Sequence, residues 1–116
     1  MAAFSQEKAM WKEMEDFHSV MGGTFHPAES GNLQPIKKQS TELLKKATAW
    51  KNSDAPAGYS KKAVKVPLKK LVKGAKKIDK MVKANAADKE LVAELSSLHD
   101  IFHEIMEKCQ PGDHDH

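Results

Sequence analysis

Apolar residues recur every three to four positions along almost the whole chain, and no stretch alternates apolar and polar residues as a half-buried β-strand does. A repeat of this kind places the apolar side chains on one side of an α-helix. The first instance is the row formed by Met10, Met14, Phe17 and Met21. We therefore expect an all-α protein in which each helix buries one apolar stripe.

Two interpretations are open for the end of the first helix, which we expect to begin near Ser5. Gly22-Gly23 can end it, or the helix can continue with a kink at Pro27. Gly31-Asn32 favours the continuation, because it pairs a glycine suited to follow one helix with an asparagine suited to cap the next. We expect the longer helix and a tight join to the second.

Three further helices follow. The second runs to about Lys51 and precedes a loop at 52–59, and Ser60 can cap the third. Pro67 indicates that residues 61–66 form a separate turn and that regular helix begins near the proline. Asp88 is the expected N-cap of the fourth. The inward-facing residues are expected to be Leu33, Ile36, Ser40, Leu43, Ala47 and Trp50, then Leu68, Leu71, Ala75, Ile78 and Val82, then Leu91, Leu95, Leu98, Phe102, Ile105 and Cys109.

Four helices with short connections predict an antiparallel up-down-up-down four-helix bundle. The 116 residues suffice for about one domain, which we assign to 1–110, with a flexible His/Asp tail at 111–116. No apolar run approaches the ~20 residues that span a bilayer, and no apolar stretch of signal-peptide length opens the chain. The single cysteine, Cys109, excludes an internal disulfide and a Cys-only zinc site.

Charge divides the chain into an acidic beginning, a lysine-rich middle at 33–84 and an acidic end. In the expected topology the first and last helices are neighbours, so an acidic half of the bundle lies beside a basic half. Arginine is absent, which speaks against nucleic-acid binding despite a pI near 8.9. We interpret the lysines as a solvated face.

All six histidines lie in the two acidic segments. His99 and His103 are four residues apart, so a helix projects both imidazoles from one face, where they can chelate one metal ion. Counted from the shared end of the bundle, His18 lies midway in height between them, because each residue rises ~1.5 Å. His26 is the candidate fourth ligand, with Glu29, Met14 or a water as substitutes. His114 and His116 belong to the tail.

Two stretches carry a resemblance: His-Pro-Ala-Glu-x-Gly-Asn-Leu-x-Pro-Ile at 26–36, and Leu-His-Asp-x-Phe-His followed by Cys109 at 98–109. They resemble small bacterial, often exported, four-helix-bundle proteins of uncharacterised role, and the architecture is similar to that of the b-type cytochrome bundle and cytochrome c-prime. The resemblance implies an exported or periplasmic location. By analogy with the cytochromes, Met14 and His103 would be the axial ligands of a haem.

These patterns lead to three hypotheses. The first is a protein that sequesters or senses a transition metal ion, zinc before copper or nickel, bound by His18, His99, His103 and His26. The second is a haem-binding electron-transfer bundle, and the third is an interaction module that docks a partner on its acidic or lysine face. We expect a monomer or weak dimer. We do not expect an enzyme, because no independent general base or substrate pocket is evident.

Overall fold

The computed structural model describes residues 11–108, and these form four α-helices with no strand among them. The helices are α1 (Lys12–Glu29), α2 (Gln34–Asn52), α3 (Lys61–Lys83) and α4 (Asp88–Lys108). The expected start of the first helix near Ser5 is wrong, because Trp11 is extended and α1 begins at Lys12. The expectations for Met10, Cys109 and the tail at 111–116 fall outside the described residues.

Each helix packs along the next one in the chain, and α1 also packs against α4, which closes the ring of four. With the short joins at 30–33, 53–60 and 84–87, this is the up-down-up-down bundle expected from the sequence. The backbones of α1 and α4 come close to each other at fewer positions than those of the other three neighbouring pairs. The contact between α1 and α4 is therefore the most open of the four.

The longer first helix is confirmed, because α1 continues through Gly22-Gly23 and includes Pro27. A proline inside a helix has no amide hydrogen to donate. The carbonyl four residues earlier, here that of Gly23, therefore lacks its helical hydrogen bond. Gly23 is exposed, so water can bond that carbonyl. The helix ends just before Gly31, whose φ of 94° lies in the left-handed region that glycine adopts without strain.

The expected N-cap residue of α2, Asn32, lies one position before the observed N-cap. Its Oδ1 accepts a hydrogen bond from the amide of Gln34 at 3.1 Å, while Leu33 occupies the backbone N-cap position. The helix bends at Gln39, where φ is −116° and ψ is 15°, and no pattern of residues predicted this bend.

The expected break before Pro67 is wrong, since α3 is helical from Lys61 onward. The proline leaves the carbonyl of Ala63 unpaired, and Ala63 is exposed to water. Ser60 caps the helix as expected, because its hydroxyl accepts a hydrogen bond from the amide of Ala63 at 3.2 Å.

The assignment of Asp88 as an N-cap is also wrong. Helix α4 begins with Asp88 itself, and the amides of Glu90 and Leu91 both bond the carbonyl of Ala87. The two carboxylates of the first turn, Asp88 and Glu90, therefore stabilise α4 through the positive end of its dipole.

The apolar rows are confirmed within the described residues. Every residue expected to face inward in α2, α3 and α4 is buried except Val82, which is partly buried and packs against the core. In α1 the buried row extends beyond Met21 to Phe25 and Ala28. Among the four helices, none is both long enough and apolar enough to cross a membrane.

Candidate functional site

The four histidines proposed as ligands lie on α1 and α4, the two helices of the most open contact. His18 and His26 are exposed on α1, His103 is exposed on α4, and His99 is partly buried. They differ in which rings they contact, and those contacts define the site.

His99 is the centre of the cluster. Its ring stacks on Phe25 of α1, with centroids 4.1 Å apart and an interplanar angle of 15°. The ring of His103 lies 4.4 Å from that of His99, at 75° to it. The spacing of four residues thus brings the two imidazoles together on one face of α4, as the sequence predicts.

His26 approaches the same pair from α1. Its ring centroid is 6.4 Å from that of His99, and its Nδ1 lies 3.6 Å from a carboxylate oxygen of Glu29. A histidine whose Nδ1 faces a carboxylate has its ring orientation held and its Nε2 free to bind a metal. His26 and Glu29 are therefore suited to complete a site around His99.

His18 makes a different contact. Its ring stacks on Phe102 at 4.9 Å, and the ring of Phe102 lies 5.9 Å from that of His103. Within the described part of the chain, His18 contacts no other imidazole ring. Phe102 falls between His99 and His103 in the sequence, so the ring of His18 lies beside this part of α4.

The direction of helical side chains explains why His26 lies nearer to His99 than His18 does. Side chains lean toward the N-terminus of their own helix, so facing side chains on antiparallel helices lean in opposite directions. His99 therefore leans toward the C-terminal part of α1, where Phe25 and His26 lie. A comparison of backbone heights alone does not include this displacement of the side chains.

The surroundings of His99 favour its neutral form. Burial lowers the pKa of His99, and the nearby imidazoles of His103 and His26 lower it further, against the opposing charges of Asp100 and Glu29. Only a neutral imidazole nitrogen can bind a metal ion. His99 is therefore available as a ligand at neutral pH.

The predicted apolar row of α1 ended at Met21, although Phe25 lies four residues later and continues it. Its ring forms the surface on which His99 stacks. Across residues 11–108, no three histidine, cysteine or carboxylate side chains already converge at metal-binding distance. Binding would require rotation of the exposed rings of His26 and His103 toward His99, which occurs on the ps–ns timescale.

The interior beside the histidines is filled by aromatic rings. Trp50 contacts Trp11, Phe17 and Phe102 at centroid distances of 6.0, 5.6 and 5.9 Å. Both tryptophans are buried, as expected for packing residues. Met14, the haem ligand suggested by analogy, is buried as well, whereas His103 is exposed.

The fold and this cluster define an all-α four-helix bundle with histidines from two helices grouped at one contact. Comparison with protein-family models, with curated proteins and with solved structures finds no match to the chain.

Proposed function

We propose that this protein binds one transition metal ion, zinc before copper or nickel, between α1 and α4, in a sequestering or sensing role. The ligands are His99, His103 and His26, and Glu29 or a water completes the tetrahedral shell that zinc prefers. The proposal keeps three of the four histidines expected from the sequence and gives His18 no ligand role.

The observation that carries the proposal is the grouping of imidazoles around His99. His103 lies at 4.4 Å and His26 at 6.4 Å between ring centroids, and the two come from different helices. A partly buried imidazole held by stacking on Phe25 provides a fixed first ligand, and two exposed imidazoles provide adjustable ones. Three ligands from two helices have the donor types and number of a zinc site.

Such an ion would join the two helices whose contact is the most open. A ligand that binds only the folded state raises the free energy of unfolding by RT ln(1 + [L]/Kd). A bound metal ion would therefore stabilise the bundle. This coupling suits a protein that holds or reports a metal ion.

Isothermal titration calorimetry with zinc tests the proposal. The starting protein should carry His114→Asn and His116→Asn, because a His-Asp-His tail binds metal weakly by itself. We expect one ion per chain and an affinity that falls about a hundredfold or more in each of His99→Ala, His103→Ala and His26→Ala, since even a residue that only orients a ligand is worth 10–100-fold.

His18→Ala is the matched control, because it removes an exposed imidazole from the same face of the bundle. It should leave zinc affinity within about threefold of the starting protein, a change below 1 kcal/mol. If His18→Ala abolishes binding and His26→Ala does not, the ligand set is the one expected from backbone heights. If no variant changes the affinity, or the starting protein binds neither zinc, copper nor nickel, the proposed function is wrong. A Soret band on addition of haemin that disappears in Met14→Ala would favour the cytochrome analogy instead.

A further inference from the structure

One face of α3 is a continuous row of cations. Six exposed lysines recur at steps of three or four residues, so they project from the same side of the helix. We call them the lysine row: Lys62, Lys65, Lys69, Lys73, Lys76 and Lys80. With a rise of 1.5 Å per residue the row extends about 27 Å.

The acidic half of the bundle does not neutralise this row. The lysines of α3 that form ion pairs are Lys77, with Glu94 at 2.9 Å, and Lys83, with Asp79 at 2.8 Å. Within residues 11–108, no member of the lysine row has an acidic partner within ion-pair distance. Ion pairs within the bundle therefore do not explain why these lysines form a row.

Apolar surface lies next to the row. Val66 is 60% exposed, the one large apolar side chain exposed among residues 11–108, and it is four residues from Lys62 and from Lys70. A groove beside the row is lined by Gly74 and by Ile101 of α4, together with lysine side chains. Cations and apolar groups thus lie next to each other at two places along the row.

We propose that the lysine row is a docking surface for an anionic phospholipid bilayer, with Val66 entering the interface between headgroups and acyl chains. Lysines near an anionic bilayer each contribute about 1 kcal/mol, or roughly fivefold in partitioning. Lysine stems can lie along apolar surface while their ammonium groups stay among the headgroups. The proposal concerns a different surface from the histidine cluster and does not depend on it.

A bilayer fits this surface better than a nucleic acid. The chain has no arginine, the residue that binds phosphate in bidentate fashion, and residues 61–83 contain no aromatic side chain on which a base could stack. A single straight row of flexible point charges needs only a broad anionic plane. An exposed valine gains nothing from a phosphate backbone, but it does gain from an acyl boundary.

Sedimentation with large unilamellar vesicles tests the proposal on the full chain. We expect binding to vesicles of phosphatidylcholine containing about a third phosphatidylserine at low ionic strength, little binding to pure phosphatidylcholine, and release as salt shortens the Debye length to about 3 Å near 1 M. The triple variant Lys65→Gln, Lys69→Gln, Lys73→Gln should bind about a hundredfold more weakly. Val66→Ser should also weaken binding, without changing its dependence on salt.

The matched control is Lys38→Gln, Lys45→Gln, Lys89→Gln, which removes the same charge from exposed lysines outside α3. It should retain most of the vesicle binding, and circular dichroism should show the same helix content in both triple variants. Equal loss in the two triple variants would mean attraction by net charge alone and would overturn the proposal. Duplex DNA that displaces the protein from vesicles, or self-association that the Lys65, Lys69 and Lys73 changes abolish, would also overturn it.

Discussion

Asp79 is a carboxylate buried between α2 and α3, where side chains from both helices satisfy it. The hydroxyls of Ser40 and Thr41 donate to its Oδ1 at 2.7 and 3.0 Å, and Lys83 donates to its Oδ2 at 2.8 Å. Burial raises the pKa of Asp79, but the hydrogen bonds from Lys83, Ser40 and Thr41 and the charge of Lys83 outweigh it and lower the pKa below its ordinary value. Asp79 therefore stabilises the fold in its charged form.

Asp79→Ala is expected to lower the free energy of unfolding by about 1–3 kcal/mol, because it leaves the hydroxyl of Ser40 buried without an acceptor. A group with a lowered pKa stabilises the fold above its unfolded pKa of 3.8 and loses that contribution as pH falls through its folded pKa. Urea unfolding at neutral pH and near pH 3 measures both effects. Asp54→Ala, at an exposed loop position, is the control, and an equal loss in both variants would contradict this account.

His99 gives the fold a second dependence on acid. Its pKa is lowered from 6.5 by burial and by the neighbouring imidazoles, so the unfolded chain takes up a proton more readily than the folded one. The stability contributed by neutral His99 is complete above about pH 6.5 and is lost as pH falls through the folded pKa.

His99→Phe keeps a ring stacked on Phe25 and removes the titration. We expect the urea midpoint of this variant to fall less between about pH 7.5 and pH 5.5 than that of the parent protein. Val66→Ala is the control, because it changes an exposed position away from the cluster. Its urea midpoint should fall as much as that of the parent protein. An identical fall in His99→Phe and the parent would show that the burial of His99 does not set the pH dependence.

At the scale of the helices, α1 contains a glycine pair that the bundle does not require for packing. A Cβ added at Gly23 would meet no atom within 4 Å, and one at Gly22 would lie 3.9 Å from the ring of His26, an ordinary contact. Glycine inside a helix costs about 0.5–1 kcal/mol relative to alanine because it loses more conformational freedom on folding.

Gly23→Ala is therefore expected to raise the free energy of unfolding by about 0.5–1 kcal/mol. Gly31→Ala should lower it, since φ at that position is 94° and alanine is strained there whatever space is available. Chemical denaturation of the two variants measures the difference. If both substitutions stabilise the protein, the boundary between α1 and α2 is not the left-handed turn described.

The two prolines show how far sequence reasoning reaches at this scale. The apolar rows follow from periodicity alone, and within the described residues every position they named is buried or packs against the core. They left out Phe25, Ala28 and Val64, which are buried as well. Pro27 and Pro67 present the same local chemistry, yet the break expected at Pro67 does not occur. In both helices the residue four positions earlier, Gly23 or Ala63, is exposed, so water can bond the carbonyl that the proline leaves free. That exposure is a property of the assembled bundle and cannot be read from the proline itself.

At the scale of the whole molecule, the partition of charge expected from the sequence is present, but few ion pairs join the two halves. In the described part of the chain they are Lys37 with Asp88 at 3.0 Å and Lys77 with Glu94 at 2.9 Å, and all four side chains are at least partly exposed. Pairs of this kind contribute about 0–1 kcal/mol each. Packing of the apolar rows holds the bundle together, and the lysines of α3 are available for other interactions.

The candidate site was predictable in its helices and its height, but not in its ring contacts. The spacing of His99 and His103 and the adjacency of α1 and α4 followed from the sequence. The closeness of His26 to His99 depends on opposite side-chain lean in antiparallel helices and on the stacking of His99 on Phe25. Predicting these contacts requires the register of one helix against the other to within a fraction of a turn.

The central claim is that one metal ion bridges α1 and α4 through His26, His99 and His103. Anomalous diffraction at the zinc edge from crystals grown with zinc tests it most directly. The account predicts one strong peak between the two helices, about 2.0–2.1 Å from a nitrogen of each of the three imidazoles. Zinc bound only by His114 and His116, or no peak between α1 and α4, would contradict it.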